Sequence, residues 1–319
     1  MARVRMLLPL AALWGWLMCG AAAKGSWAWT PTELLVLQAR TIVEAEVTAV
    51  EPGPKAKPRD ADDKDPPSAY DVVTLSVSAV LKGDAELKQV RLAQPAADRR
   101  MMASTDLTFR RGQAGIWILG SPDEAGLHRI GYPGSVLKRD RKQDVATMVA
   151  AHAKLPWGKP VGGLAGVVVP ATDMGYPPDG SLSVVLAVRN ASDQPLMLNT
   201  HAGHRPIGGR VTAPDGDAVQ LKLYAWLKRA RLKPPTVASL RVLEPGGTRV
   251  LTPTGSDWPD RIVLRPKAEP GTYRVRMTYA NTWAPEALDL RYPLWTGTLE
   301  VGPAKVTVVP KAPAEPDAE

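Results

Sequence analysis

The sequence contains almost no cysteine: Cys19 is the single residue of this type among 319. Cys19 lies in an N-terminal segment that we expect to be removed, so the mature chain would hold no thiol. Disulfide bonds, thiolate catalysis and cysteine-ligated zinc are thereby excluded from the mature protein. Gly-x-Ser-x-Gly, phosphate-loop and dinucleotide-binding motifs are also absent from the sequence. We therefore predict a protein that is not an enzyme and has no cofactor.

Long apolar runs are missing after residue 23, and residues 1–23 have the pattern of a secretory signal peptide. Arg3 and Arg5 precede a mostly apolar stretch over 6–19, which is too short to span a bilayer. Small residues at Ala21–Ala23 stand where a signal peptidase cleaves. We predict cleavage near Ala23 and a secreted or periplasmic mature protein.

A lipid anchor on Cys19 is the alternative to cleavage near Ala23. A lipoprotein signal has a leucine-like residue three positions before the cysteine and a small residue directly before it. Trp16 and Met18 occupy these positions here. We therefore expect no lipoprotein.

Residues 24–155 are predicted to form a small β-barrel with short helices at its two ends. Thr30 to Glu33 resembles a capped helix start with Pro31 at the first helical position, and that helix should end near Arg40. Apolar alternation then predicts strands over 42–50 and 72–80, and around Val90 and Leu92, 116–119 and 127–132. Helical spacing returns over 140–154. About five or six strands suit a small barrel.

Residues 156–309 are predicted to form a β-sandwich, followed by a disordered tail over 310–319. Pro156 to Pro160 has the composition of a domain junction. Alternating apolar residues and turn signals recur after it at strand-like spacing. Tyr273 opens a strand directly after the Pro270-Gly271 corner, and a buried tyrosine at such a corner is typical of immunoglobulin-like sandwiches.

Several segments resemble a family of secreted bacterial two-domain β proteins. The barrel segments are Thr41–Val47, Val77–Gly83 and Ile116–Leu119, and the sandwich segments are Pro270–Tyr273 and Trp295–Thr298. The resemblance covers nearly all of residues 34–309. It implies a mainly β fold: an N-terminal OB-like β-barrel with short flanking helices, similar to the barrel of tissue inhibitors of metalloproteinases, followed by an immunoglobulin-like β-sandwich. Those inhibitors chelate the target's zinc through an N-terminal cysteine, which the mature chain lacks, so this mechanism does not carry over.

Aromatic residues in a long loop of the sandwich region are the first candidate binding site. Loops at the end of a sandwich commonly bind ligands, and aromatic side chains stack on sugars or peptide groups. The alternative is that the two tryptophans plug the end of the sandwich. The candidate ligand-binding residues of this loop are Trp283, Arg291, Tyr292 and Trp295.

A basic aromatic segment over 224–233 is the second candidate. Its cations and aromatic rings could hold an anionic polymer or lie on a membrane surface. The alternative is a short helix or loop that turns its tryptophan inward and leaves its charges in water. The candidate residues of this segment are Tyr224, Trp226, Lys228, Arg229, Arg231 and Lys233.

Two weaker patterns concern metal binding and acyl transfer. His201 and His204 could share a metal ion, but the sequence offers no third ligand beside them, so we predict no metal site. Ser135 and Lys138 match the Ser-x-x-Lys pattern of penicillin-recognising enzymes, whose partner motifs are absent.

Together these observations predict a non-catalytic binding protein whose partner is a protein or a polysaccharide at the cell envelope. The net charge of +8 is compatible with an anionic polymer or membrane surface, and no specific nucleic acid is expected. An inhibitor of extracellular proteases is the alternative among binding functions. A hydrolase whose site only the fold assembles is the alternative from another class.

Overall fold

The computed structural model describes residues 31–53, 70–96, 107–130, 132–170, 183–200, 207–219, 240–251, 262–263, 270–283 and 290–308. Within these ranges the protein is mainly β, as the sequence predicts. The predicted signal peptide and the tail over 310–319 lie outside these ranges. The stretch over 54–69, which is rich in acidic residues and lies between the first two strands, is also outside them.

A six-stranded sheet forms the first half of the chain and curls into a half-barrel. Its spatial order is β5-β3-β2-β1-β4-β6, with neighbouring strands antiparallel except for the parallel pair β3–β5. The strands are β1 (Thr41–Pro52), β2 (Tyr70–Lys82), β3 (Gln89–Pro95), β4 (Ala114–Leu119), β5 (His128–Arg129) and β6 (Val136–Leu137).

Two α-helices flank this sheet, α1 (Thr32–Gln38) and α2 (Lys142–Ala153). Two short 3-10 helices, Pro133–Ser135 and Arg139–Arg141, precede α2. The concave side of the sheet holds a core in which Trp117 is fully buried, donates its indole N–H to the Ala45 carbonyl (3.1 Å) and packs edge-on against Phe109. The sequence prediction of a strand buried on both faces at 116–119 is confirmed.

Further strands make two facing sheets in the second half. The first sheet has the order β11-β10-β15-β16. In the second sheet, β8 is central: it pairs with β7 along one of its edges and with β13 and β14 along its opposite edge. A two-stranded sheet, β9–β12, lies beside them. The strands are β7 (Leu164–Pro170), β8 (Ser183–Asn190), β9 (Leu196–Asn199), β10 (Ile207–Thr212), β11 (Ala218–Val219), β12 (Leu240–Leu243), β13 (Thr248–Leu251), β14 (Ile262–Val263), β15 (Gly271–Asn281) and β16 (Gly297–Val308).

The core of this half lies between the two four-stranded sheets. Alternate residues of β15 point inward, and the buried set includes Tyr273, Val275, Met277 and Tyr279. Gly166 of β7 allows a close approach between sheets, because a Cβ there would lie 2.4 Å from the Val301 methyl carbon. The contact between the two sheets therefore depends on the inward-facing residues of β15 and on the absence of a side chain at Gly166.

Strand β8 is buried on both of its faces. Leu186 and Val188 belong to the core between the sheets, whereas Val185 and Ala187 face the opposite way and are equally buried. Helix α1 covers that second face with Leu34 and Leu37.

Helix α1 thereby joins the two halves of the molecule. Its other side buries Val36, followed by Ala39, against Ile42 of β1 and Val145 of α2. The Gln38 side-chain oxygen also accepts the Val250 backbone N–H (3.1 Å). A seven-residue helix thus completes two apolar clusters that belong to different sheets.

Two sequence-based expectations differ from the structure. The residue before α1 is Pro31, and no side chain caps the helix, which ends at Gln38 rather than near Arg40. The strand expected over 127–132 is only His128–Arg129, because Pro133 begins a 3-10 helix. Strands β12 and β13 flank the turn over Glu244–Gly247 and pair with different partners, β12 with β9 and β13 with β8.

Candidate functional site

A cleft of about 390 Å³ lies where the first sheet meets the second half of the molecule. One wall consists of 38–40 after α1, Lys82 at the end of β2, and Gly120 and Ser121 after β4. The other wall is the turn region between β12 and β13, over 242–249. Concave sites of this size are where proteins commonly bind small molecules or segments of larger ligands.

Lys82 is a largely buried cation of the cleft. Its ammonium group donates to the carbonyls of Val36 (2.9 Å) and Leu37 (3.1 Å), which lie in the last turn of α1. A cation suits this position because backbone carbonyls are left unpaired at a helix C-terminus. Burial, and secondarily the charge of Arg40, lower the pKa of Lys82 to about 8.

Arg40 spans the cleft and ties its two walls together. One guanidinium N–H donates to the Pro245 carbonyl (2.9 Å), 205 residues further along the chain. Arg249 and the carboxylate Glu244 also line the cleft. Arg40 and Lys82 on the first wall thus outnumber the carboxylate Glu244 on the other, which favours an anionic or strongly polar ligand.

His152 of α2 belongs to the same electropositive region, although it does not line the cleft. Its Nδ1 atom is buried and has no hydrogen-bond partner among the described residues. Burial, followed by the charge of Lys82, lowers the pKa of His152 to about 4. The ring is consequently neutral at pH 7, and its protonation would place a further cation beside Lys82, in addition to Arg40.

We expect the His152→Leu variant to weaken the dependence of stability on pH. The unfolded chain binds a proton at His152 near pH 6.5, whereas the folded chain does so only near pH 4, so the wild type loses stability as the pH falls between these values. Allowing for solvent screening of a partly exposed ring, the loss due to this residue is about 1–2 kcal/mol. Urea unfolding of both proteins at pH 7, 5 and 4 measures it.

His128 provides the control for that experiment. Its pKa is also lowered, chiefly by burial, while its Nδ1 lies 2.8 Å from the Gly120 carbonyl. The His152→Leu variant therefore keeps a residual acid sensitivity from His128. An unchanged pH dependence in the variant would contradict the expectation.

Arg291 and Tyr292 of the aromatic loop are not lining residues of the cleft, but Arg291 lies within electrostatic reach of Glu244, which is one. Arg291 is exposed, forms an ion pair with Glu124 in the β4–β5 turn, and lies over the Tyr292 ring at 5.2 Å. The Glu124 hydrogen bond, and smaller effects of Tyr292 and Glu244, raise the pKa of Arg291. Glu244 lines the cleft, and Ser121 of the cleft lies three residues before Glu124. Trp283 of this loop is half-buried.

Trp295, by contrast, lies inside the sandwich. Its side chain is 3% exposed, stacks on Tyr279 with 5.0 Å between ring centroids, and donates its indole N–H to the Val161 carbonyl (2.9 Å). The Asn281 amide donates to the Trp295 carbonyl (2.7 Å). The candidate assignment of Trp295 to a ligand surface is thus at odds with its position, because a ligand could reach the ring only after local opening.

The other candidate residues are not brought to this site. The basic segment with Tyr224, Trp226, Lys228, Arg229, Arg231 and Lys233 lies outside the described residues, as do His201 and His204. Ser135 is buried in a 3-10 helix, and Lys138 is exposed three residues on, beyond the two-residue strand β6. With Ser135 buried and Lys138 exposed beyond a strand, the pair lacks the single helical turn that brings the two side chains together in the Ser-x-x-Lys pattern.

Sequence reasoning missed the cleft residues Arg40, Lys82, Glu244 and Arg249. Each stands in an ordinary turn or strand end, and chain segments more than 200 residues apart meet only through the fold. The sequence around Lys82-Gly83-Asp84 indicates a turn, but it gives no sign that the Lys82 ammonium group contacts α1. No local pattern therefore marks these residues.

Comparison with protein-family models and with curated proteins finds no match to this chain. Across the part of the chain that the structure describes, no group of three or more His, Cys, Asp or Glu side chains is placed to hold a metal ion. In that same part, every helix is too short or too polar to traverse a bilayer.

Proposed function

We propose that this chain is an exported, non-catalytic binding protein whose ligand is a protein or a polysaccharide of the cell envelope. The observation that carries the proposal is the electropositive cleft, with Arg40 and Lys82 on one wall and Glu244 and Arg249 on the other. Both walls are fixed in advance, since α1 packs against both halves and Arg40 is anchored on Pro245. A rigid, polar concavity lowers the entropic cost of binding.

The proposal includes an OB-like barrel for the first half. Strand β1 pairs antiparallel with β2 on one side and with β4 on the other, and β3 pairs in parallel with β5. The His128 ring contacts the Gly120 carbonyl and so links β5 to the end of β4, where such a barrel would close. Five strands in a partly open barrel are typical of OB-like folds.

The proposal also includes an immunoglobulin-like sandwich for the second half. Two antiparallel sheets face each other across one core, and Tyr273 is buried at the start of β15 after the Pro270–Gly271 corner. Sandwiches of this class place their ligand-binding loops at the ends of the sheets. Arg291 and Tyr292 lie in such a connection, between β15 and β16.

Binding of the envelope ligand should depend on the residues that line the cleft. The protein for this test is purified from the exported fraction of the cells. Its intact mass should correspond to a chain that begins at Lys24. Immobilised envelope polysaccharides and envelope proteins are probed by biolayer interferometry, with esterase and peptidase turnover measured in parallel. We expect a bound partner, no turnover, and about tenfold weaker binding for Arg40→Gln, because a charge-assisted hydrogen bond contributes about 1.5–3 kcal/mol.

Arg91→Gln serves as the matched control, since Arg91 is an exposed cation of β3 that does not line the cleft. Equal losses for the two variants would argue against the cleft. Turnover that a single histidine or serine substitution abolishes would refute the non-catalytic proposal and favour a hydrolase.

A further inference from the structure

Four cations lie together on the outer face of the sheet β10-β15-β16. Arg210 is directly opposite Arg276 across the β10–β15 pair, and Arg274 is directly opposite Lys305 across the β15–β16 pair. All four side chains are exposed, because their strand neighbours point into the core. Adjacent strands are about 4.8 Å apart and alternate residues about 6.7 Å apart, so the charges occupy one compact patch. We call these four residues the basic sheet face.

The charges of the basic sheet face are not neutralised within the described residues. None of the four side chains takes part in an ion pair or a side-chain hydrogen bond there. Glu300 is the acidic residue nearby in register, opposite Thr278 at the next outward position of β15. Like charges directly opposite each other destabilise a sheet. The opposed cations of the basic sheet face therefore lower the stability of the sheet, but they suit the binding of a polyanion. This combination indicates a binding surface.

The remaining outward residues of these strands narrow the class of ligand. Apart from Glu300 and Pro303 of β16, the outward residues whose side chains the structure describes are small or hydroxylated, with no aromatic ring among them: Gly208, Thr212, Thr272, Thr278, Ala280, Thr298 and Thr307. Single-stranded nucleic acid binding relies on aromatic stacking, and stable contact with a membrane needs apolar anchors. Hydroxyl groups between fixed cations suit a ligand that carries both hydroxyls and anionic groups.

We propose that the basic sheet face binds an acidic polysaccharide, with carboxylate or sulfate groups paired to Arg210, Arg274, Arg276 and Lys305. The neighbouring threonine hydroxyls hydrogen-bond to the sugar. This surface is separate from the cleft, which is lined by residues of α1, β2 and the β12–β13 region. The flat face accepts a chain of repeating charges lengthwise, whereas the cleft takes a local segment.

The test compares two double variants that remove the same net charge. Arg274→Gln with Arg276→Gln removes the centre of the face, and Arg110→Gln with Arg111→Gln removes two exposed arginines from the turn before β4. Oligogalacturonate and a heparin-derived oligosaccharide are the probes, with dextran as the neutral polymer. We expect binding of either acidic probe to weaken at least tenfold in the first variant and less than twofold in the second.

Two further readouts make the result specific. The slope of log affinity against log salt should fall by about two for the first variant, because two fewer counterions are displaced. Its thermal unfolding midpoint should not fall, since opposed like charges have been removed. Should that variant fail to fold, Arg210→Gln with Lys305→Gln removes the flanking pair instead.

The proposal is overturned if both double variants lose affinity equally, or if dextran binds as well as the acidic probes. It is also overturned if poly-L-glutamate, single-stranded DNA or phosphatidylglycerol vesicles bind more tightly than either oligosaccharide at equal charge. Each of these outcomes leaves the cleft and its Arg40→Gln test intact.

Discussion

Replacing Trp295 by alanine is expected to lower the free energy of unfolding by about 3–5 kcal/mol, the usual range for truncating a buried tryptophan. The indole ring is 3% exposed and fills the space beside Tyr279. Its loss also leaves the Val161 carbonyl without this donor. Urea unfolding at pH 7 measures the change.

Two companion variants separate the contributions of Trp295. Trp295→Phe retains an aromatic ring against Tyr279 but loses the hydrogen bond to Val161, so about 1–2 kcal/mol of the loss should remain. Trp283→Ala should cost less than Trp295→Ala, because the Trp283 side chain is only half-buried. A Trp295→Ala protein within 1 kcal/mol of the wild type would show that the core tolerates the cavity and that the ring is not a structural anchor.

Placing a carboxylate at Leu37 is expected to have the other large effect. Leu37 is 2% exposed and packs with Leu34 against Val185 and Val250. Burying a charge there without a partner should cost more than about 4 kcal/mol, because the group must either lose its hydration or force α1 off the sheet. We expect the Leu37→Asp variant to unfold in two steps, since the halves are no longer held by a common helix.

Hydrogen exchange resolved by peptide distinguishes this outcome from general instability. Strands β7 and β8 should lose protection at lower urea concentration than β1 and β2, whose core around Trp117 does not include α1. Thr32→Asp is the matched control, because it adds the same charge to the first turn of α1, where the helix dipole favours an anion. Uniform loss of protection in all four strands would contradict the proposed role of α1.

Local pattern was sufficient to predict most strands but not their partners. Alternation identified β2 and β15 because one of their faces is buried and the other is polar or exposed. In the sequence around β8, Leu182, Val184, Leu186 and Val188 alternate with Ser183 and Arg189, which indicates one buried face, whereas Val185 and Ala187 on the other face are buried as well. Those two residues are buried in a cluster with Leu34 and Leu37 of α1, which lies about 150 residues earlier in the chain.

The candidate site was less accessible to sequence reasoning than the fold. Trp283 and Trp295 look equivalent in the sequence, yet the structure leaves one half-buried and places the other beside Tyr279. Arg40 and Lys82 carry no motif, and their shared environment arises from the packing of β2 against α1 and of α1 against β13. Electrostatic environments of this kind depend on distances that sequence does not encode locally.

The position of α1 at the start of the described chain has a consequence for biosynthesis. The helix is made early, yet the backbone N–H that its Gln38 side chain accepts belongs to Val250, 212 residues later. Until that point the surfaces of Leu34 and Leu37 lack part of their final cover, and exposed apolar segments of this kind promote aggregation. A chain still being synthesised would therefore depend on a holding chaperone until its later strands can enclose this helix.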